Sequence, residues 1–197
     1  MRHGSALALV VRLLLDAGTL AWLSGAALLA QARRLCLRVL DWLFAMALSA
    51  ESRLREMGIT LPAPPASGGN YIPAKTIGSL VFLSGVISVG ADGVIAGTVG
   101  ADRTIEDGFG AARACALTQL GVLRHHLGSL DAVKSIVSVN GYVNAVPGFA
   151  DSPKVMNGAS DLLVEIFGDS GRHVRAAIGV SALPRNALVE LQMTVEI

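Results

Sequence analysis

Cysteine is scarce: the chain has 2 among 197 residues, Cys36 and Cys115. Two thiols make neither a disulfide framework nor a zinc-ligand spacing, and a reducing, cytoplasmic compartment is the expectation. Aromatic residues are few, at 5%, and the formal net charge is +1. The footprint of a nucleic-acid binder, a basic patch interleaved with aromatics, is therefore missing. No glycine-rich phosphate loop, HExxH pair or GxSxG elbow occurs, so the common signatures of nucleotide, zinc-peptidase and serine-hydrolase chemistry are absent. Internal repeats and low-complexity stretches are absent too.

What the chain does have is apolar character. The hydrophobic fraction is 52% and the mean hydropathy is +0.56. Residues 1–45 account for much of it. They are rich in Leu, Ala and Arg, with only Asp16 and Asp41 acidic. No charge lies between positions 17 and 32, a run shorter than the roughly 20 residues that span a bilayer. Three readings stand: a membrane anchor or interfacial helix, a targeting segment, or translation from an upstream start, the native chain beginning at Met46. Membrane or organellar placement follows only if this segment is genuine. Residues 46–197 are long enough for one domain with its own core.

In that domain Ser49 is placed to cap a short helix that Gly58 stops. A Pro/Ala/Gly loop from Pro62 delivers Asn70-Tyr71-Ile72-Pro73. Residues 72–77 and 80–87 read as a hairpin around Gly78-Ser79, and a short strand is expected over 94–99. Thr104 opens a helix whose stripe is Phe109, Ala112, Ala116, Leu120, Leu123 and Leu127, ended by Gly128. Cys115 lies beside that stripe and reads as a small buried residue. Residues 133–143 form a strand. A second helix follows, with Ser152 as cap, Pro153 in its first turn, and Met156, Ala159, Leu163 and Ile166 on one side. The order predicts an α+β sandwich, with two long helices on one face of a mixed sheet.

The C-terminal stretch carries the chemistry. Val189, Leu191, Met193, Val195 and Ile197 alternate with Glu190, Gln192, Thr194 and Glu196, which is a half-buried strand. Arg175 opens the strand before it, and Pro184 and Asn186 mark the turn between. If the two strands pair as a hairpin, Arg175 and Glu190 share one side of the sheet. An arginine is a planar fork for a carboxylate or phosphate, and a glutamate can carry a proton.

Arg175, Ala176, Ile178, Val180, Leu183-Pro184 and Val189-Glu190-Leu191-Gln192 resemble the C-terminal signature of the Rid family, the YjgF-type reactive intermediate (enamine/imine) deaminases. Ser84-Gly85 resembles that family's Ser-Gly pair, with Val86 in place of its usual Gln. Tyr71 stands where the family has a Tyr in its "GPYSQA" segment. Asn157 resembles an Asn near the start of the equivalent family helix. Ala176 replaces a common Ser.

The resemblance implies a chorismate-mutase-like fold, a homotrimer, and sites in clefts between subunits. It implies hydrolysis of 2-imino or enamine acids to 2-oxo acids and ammonia, with no cofactor and no metal. By analogy Arg175 grips the substrate carboxylate and Glu190 handles water or proton. Tyr71, Gly85, Val86 and Asn157 complete the binding site. The implied partners are a small 2-imino or 2-oxo acid and further copies of the chain, without nucleic acid. Two alternatives stay open: a non-catalytic module that binds small carboxylates, and the ribonuclease activity ascribed to some relatives.

Overall fold

The alternation read at the C-terminus makes a central strand. In the computed structural model, which describes residues 49–197 and, of the N-terminal segment, Arg34 alone, Val189, Leu191, Met193 and Val195 are all buried. They belong to β8 (Val189–Glu196), which has β2 (Leu80–Leu83) on one side and β6 (Ser135–Asn144) on the other, both antiparallel. Beyond β2 lies β1 (Ala74–Ile77), and β7 (Val174–Val180) lies beyond β6. β3 (Val86–Ile87) continues the β2 side of β8, and β4 (Val89–Gly90) and β5 (Gly93–Val94) form a small separate ladder. The segment 1–45 and the start at Met46 otherwise lie outside the described residues. The compact unit built by the rest runs from Leu48 to Ile197.

Helix α1 (Ala50–Glu56) begins at Ser49, whose hydroxyl accepts from the Ser52 amide at 3.2 Å. Helix α2 (Ile105–Leu127) starts with a reciprocal box: Asp107 N–H donates to Thr104 Oγ1 at 3.1 Å, and Thr104 N–H donates to Asp107 Oδ2 at 2.9 Å. Two orphan amides are satisfied at once. Gly128, at φ +84, ends it. Helix α3 (Ser152–Phe167) connects β6 to β7. That crossover is long enough to let β6 and β7 run parallel, and the sheet is accordingly mixed. Both long helices cover one face, over a core that includes Leu120, Leu123, Val139, Met156, Leu163 and Leu191. The α+β sandwich expected from the pattern is what forms.

Four local expectations need correction. The C-terminal strands do not pair as a hairpin: β6 separates β7 from β8, because β6 buries its apolar residues best in the middle of the sheet. Ser152 is the first helical residue and not the cap; Asp151 holds that place, and the Ser152 hydroxyl is buried without a hydrogen-bond partner. The strand expected over 94–99 is only β5 plus isolated bridges at Ala96 and Val99, since Gly97 and Gly100 have positive φ and interrupt extension. Phe109, at the start of the α2 stripe, is 37% exposed.

The α2–α3 crossing depends on backbone contact. A Cβ added at Gly158 would collide with the Phe109 carbonyl oxygen and lie 3.1 Å from the Phe109 Cγ. A carbonyl inside a helix cannot turn aside. Overpacking of this kind costs about 1–3 kcal/mol, so Gly158→Ala should lower the unfolding free energy by an amount in that range, read as a lower urea midpoint. Gly110, on the same α2, has open space where its Cβ would go. Gly110→Ala should be neutral or stabilise by up to about 1 kcal/mol. Equal midpoints for the two variants would show that the close crossing does not constrain the fold.

Candidate functional site

Between β2 and β3 the ladder against β8 slips. Phe82 faces Thr194 while Val86 faces Leu191, so a step of four residues (86 − 82) opposes a step of three (194 − 191). The extra residue is a β-bulge at Ser84-Gly85. Such a bulge frees a carbonyl from the ladder, and here the side chain of Gln119 on α2 takes it. Gln119 is fully buried, and its Nε2 donates at 2.8 Å to Ser84 O and at 2.8 Å to Leu191 O.

The bulge brings Gly85 against Glu190. A Cβ at position 85 would strike Glu190 Oε1 and lie 3.3 Å from Cδ. Any side chain there would have to push the carboxylate out of this position. Val86 and Tyr71 join these two around a cavity of about 860 Å³, with Pro62, Pro65, Leu117 and Arg185 among its other walls. The volume lies within the range of small-molecule pockets. Tyr71 is half exposed, and its hydroxyl oxygen accepts from Gly68 N–H at 3.2 Å. Burial raises the Glu190 pKa above the ordinary glutamate value. On its other side Glu190 borders a second cavity, of about 390 Å³, with Tyr142 and Gln192.

The mouth of the larger cavity is braced by a strained turn. Arg185 and Asn186 have φ of 59° and 55°, a region that non-glycine residues seldom occupy. Buried Asn144 holds them there: its Nδ2 donates to Gly97 O at 2.9 Å and to Asn186 Oδ1 at 3.1 Å. Asn186 therefore has the turn role its residue type suggested.

Arg175 and Asn157 form a second group, apart from the first. Arg175 Nη1 donates to Asn157 Oδ1 at 3.0 Å and to Ser160 Oγ at 2.9 Å, and Nη2 donates to Pro153 O at 3.3 Å. All three acceptors are neutral and lie on α3. Of the five guanidinium donors, the Nε–H and one on Nη2 stay unused. No carboxylate among the described residues forms an ion pair with it. The guanidinium is thus oriented but not neutralised.

Arg175 and Glu190 are not brought together within one chain. On β6 their cross-strand partners are Val139 and Tyr142 respectively. Residues an odd number apart point to opposite faces of a strand. Arg175 faces α3, and Glu190 faces away from the helices. The shared side that a hairpin would give is overturned by the position of β6.

Sequence reasoning missed Gln119, Ser160, His173, Tyr142 and Arg185. Only Tyr142 left a usable signal, as a polar-tipped ring out of phase with Val139 and Val143. Cys115 is inert as expected: it is buried, and burial pushes its thiol far above the usual range. Among the described residues no group of three or more His, Cys, Asp or Glu is placed to hold a metal ion, and no helix is long and apolar enough to cross a membrane.

Folding makes Glu190 easier to protonate, so its charge destabilises the native state only above the ordinary glutamate pKa of about 4.3. This contribution is absent at lower pH and grows as pH rises through the window between the unfolded and the raised folded value. Glu190→Gln should therefore gain stability over the wild type at neutral pH and lose that advantage below the window. Urea midpoints at the two pH values measure it. An advantage that does not change with pH would sink this account of Glu190.

Residues 51–197 match the family model described as "YjgF/chorismate_mutase-like, putative endoribonuclease". Protein TCP17 of Trypanosoma cruzi is 40% identical over 148 residues, which is 74% of this chain and 92% of that protein. A crystal structure from Shewanella oneidensis MR-1, described as that of a putative endoribonuclease, is 35% identical with a TM-score of 0.73; the match covers 76% of this chain and 99% of that one. A protein of unknown function from Agrobacterium tumefaciens is 36% identical with a TM-score of 0.71, over 80% and 99% of the two chains. With a family model spanning 51–197 and relatives of this similarity, the chain belongs to the YjgF/Rid family and has its chorismate-mutase-like fold.

Proposed function

We propose that the protein is a hydrolytic deaminase of 2-imino or enamine acids, with a site completed between two copies of the chain. The observation that carries the reading is the pair of half-sites on opposite faces of one sheet. One is an oriented guanidinium with an adjacent pair of unused donors. The other is a carboxyl of raised pKa beside a cavity. Each lacks what the other supplies, and a neighbouring copy in a homotrimer would join them.

In this mechanism Arg175 of one copy receives the substrate carboxylate through Nε–H and Nη2–H, the charge-assisted bidentate arrangement that fixes position as well as charge. Asn157 steadies the guanidinium from behind. Glu190 of the other copy accepts a proton from water as the water oxygen bonds to the imine carbon. It then returns that proton to the nitrogen. Glu190 then takes the proton of the carbinolamine hydroxyl and passes it to the same nitrogen, the C–N bond breaks, and ammonia leaves as the 2-oxo acid forms. One water is consumed and one ammonia released. A carboxyl with a raised pKa suits a group that must both take and give a proton near neutrality. Backbone groups at Gly85 and Val86, together with Tyr71, line the space for the substrate. Holding carboxylate and water in register supplies most of what so easy a hydrolysis requires.

The endoribonuclease description carried by relatives favours a second reading, RNA cleavage. RNA hydrolysis by the purified protein that survives Arg175→Ala would support it against the first. A non-catalytic carboxylate binder would show saturable, Arg175-dependent binding of 2-oxo acids without turnover.

For the deaminase, 2-iminopropanoate generated in situ should be hydrolysed by the wild type. Removing a charge-assisted contact costs about 1.5–3 kcal/mol, so Arg175→Ala should lose about 10- to 150-fold in kcat/KM. Glu190→Gln should be comparably impaired. Activity should return when the two inactive variants are unfolded together and refolded, because mixed assemblies contain some interfaces with both residues intact. Recovery no better than the sum of the separate variants would place both residues in the same chain's site.

A further inference from the structure

Arg175 does not stand alone. Behind it runs a chain of polar groups that ends in the backbone. Ser160 Oγ, on α3, accepts from Arg175 Nη1 at 2.9 Å and lies 3.0 Å from His173 Nε2. His173 Nδ1 lies 2.7 Å from Gly171 O. For a neutral ring the donor inventory leaves one assignment. A guanidinium only donates, so Ser160 Oγ accepts from Arg175, and its hydroxyl proton points to His173 Nε2. A carbonyl only accepts, so His173 Nδ1 carries the ring proton and donates it to Gly171 O. Nε2 is then the unprotonated acceptor. The surroundings favour the neutral ring: burial lowers the His173 pKa, outweighing the Gly171 hydrogen bond that raises it, and the nearby Arg175 charge lowers it further.

From this geometry we infer that Ser160 and His173 are positioning residues for Arg175, setting the direction in which its unused donors face a carboxylate-bearing ligand. This rests on the reading of Arg175 as the carboxylate fork. Asn157 and Ser160 together occupy both hydrogens of Nη1, and the plane of a guanidinium is fixed once one nitrogen is held twice. Asn157 is an exposed side chain on the helix surface. Ser160 is half-buried and tied through His173 to Gly171, which is itself buried. Gly171 has no room to shift: a Cβ there would collide with Leu163 O and lie 2.7 Å from the Leu163 carbonyl carbon. The rigid end of the relay is therefore the one that passes through Ser160.

The experiment compares Ser160→Ala, His173→Phe and His173→Gln in the full chain, by steady-state hydrolysis of 2-iminopropanoate and by direct titration with 2-oxobutanoate. Ser160→Ala and His173→Phe should raise KM and the 2-oxobutanoate Kd by about 2- to 12-fold while kcat stays within about twofold, since Glu190 is untouched; the range corresponds to the net worth of one ordinary hydrogen bond. His173→Gln keeps an acceptor near the Nε2 position and should restore most of the affinity. Unchanged KM and Kd in Ser160→Ala and His173→Phe would overturn the inference, as would a fall in kcat with affinity intact. A readout independent of turnover separates this from failure of the deaminase reading. The 15N spectrum of wild-type His173 should show the Nδ1–H tautomer, and its Nε2 resonance should move in Arg175→Ala. The opposite tautomer, or an Nε2 signal indifferent to Arg175, would overturn the relay even if imines are hydrolysed.

Discussion

The two hydrogen bonds from the Gln119 amide to Ser84 O and Leu191 O decide where the candidate site can be. A β-bulge leaves an unpaired carbonyl facing the core, where an unmade bond costs about 1–3 kcal/mol. Gln119 reaches across from α2 and satisfies it while also holding β8. The bulge is thereby made tolerable at a position covered by a helix. Its consequence is that Gly85 approaches the Glu190 carboxylate so closely that a side chain there would displace it. Substituting the amide by an apolar residue would leave the Ser84 carbonyl without its partner and remove the reason for Glu190 to sit where it does.

The second constraint is topological. Parallel pairing of β6 and β7 needs a crossover, and α3 is that crossover. The same helix supplies every acceptor that orients Arg175. The cationic group is thus a product of the βαβ unit, while the acidic group is a product of the antiparallel half of the sheet. Their separation follows from strand alternation. The guanidinium and the carboxyl are therefore left without a partner charge from each other within one chain.

The groups around Glu190 are held at some cost to the folded state. Glu190 is partly desolvated, and no cation among the described residues forms an ion pair with it. Arg185 and Asn186 sit in the left-handed region, and strain of that sort is of order 1–3 kcal/mol per residue. Asn144 offsets it with buried hydrogen bonds. The apolar core, running from Leu54 through Leu191 to Val195, is extensive enough to carry these local penalties.

The strand of alternating residues at the C-terminus, both long helices with their stripes, and the glycine at position 85 were legible in the sequence, because burial imposes periodicity on a local stretch and a short motif preserves residue type. Glu190, Arg175, Asn157 and Tyr71 were singled out from the same short motifs. What the sequence did not determine was which strand lies beside which. A strand pattern states that one face is buried and is silent about neighbours, so inserting β6 between β7 and β8 moved Arg175 and Glu190 to opposite faces. Nor did it reveal Gln119, Ser160 or His173. Their significance lies in contacts 72, 15 and 13 residues away along the chain, and only tertiary structure brings such partners within hydrogen-bonding distance.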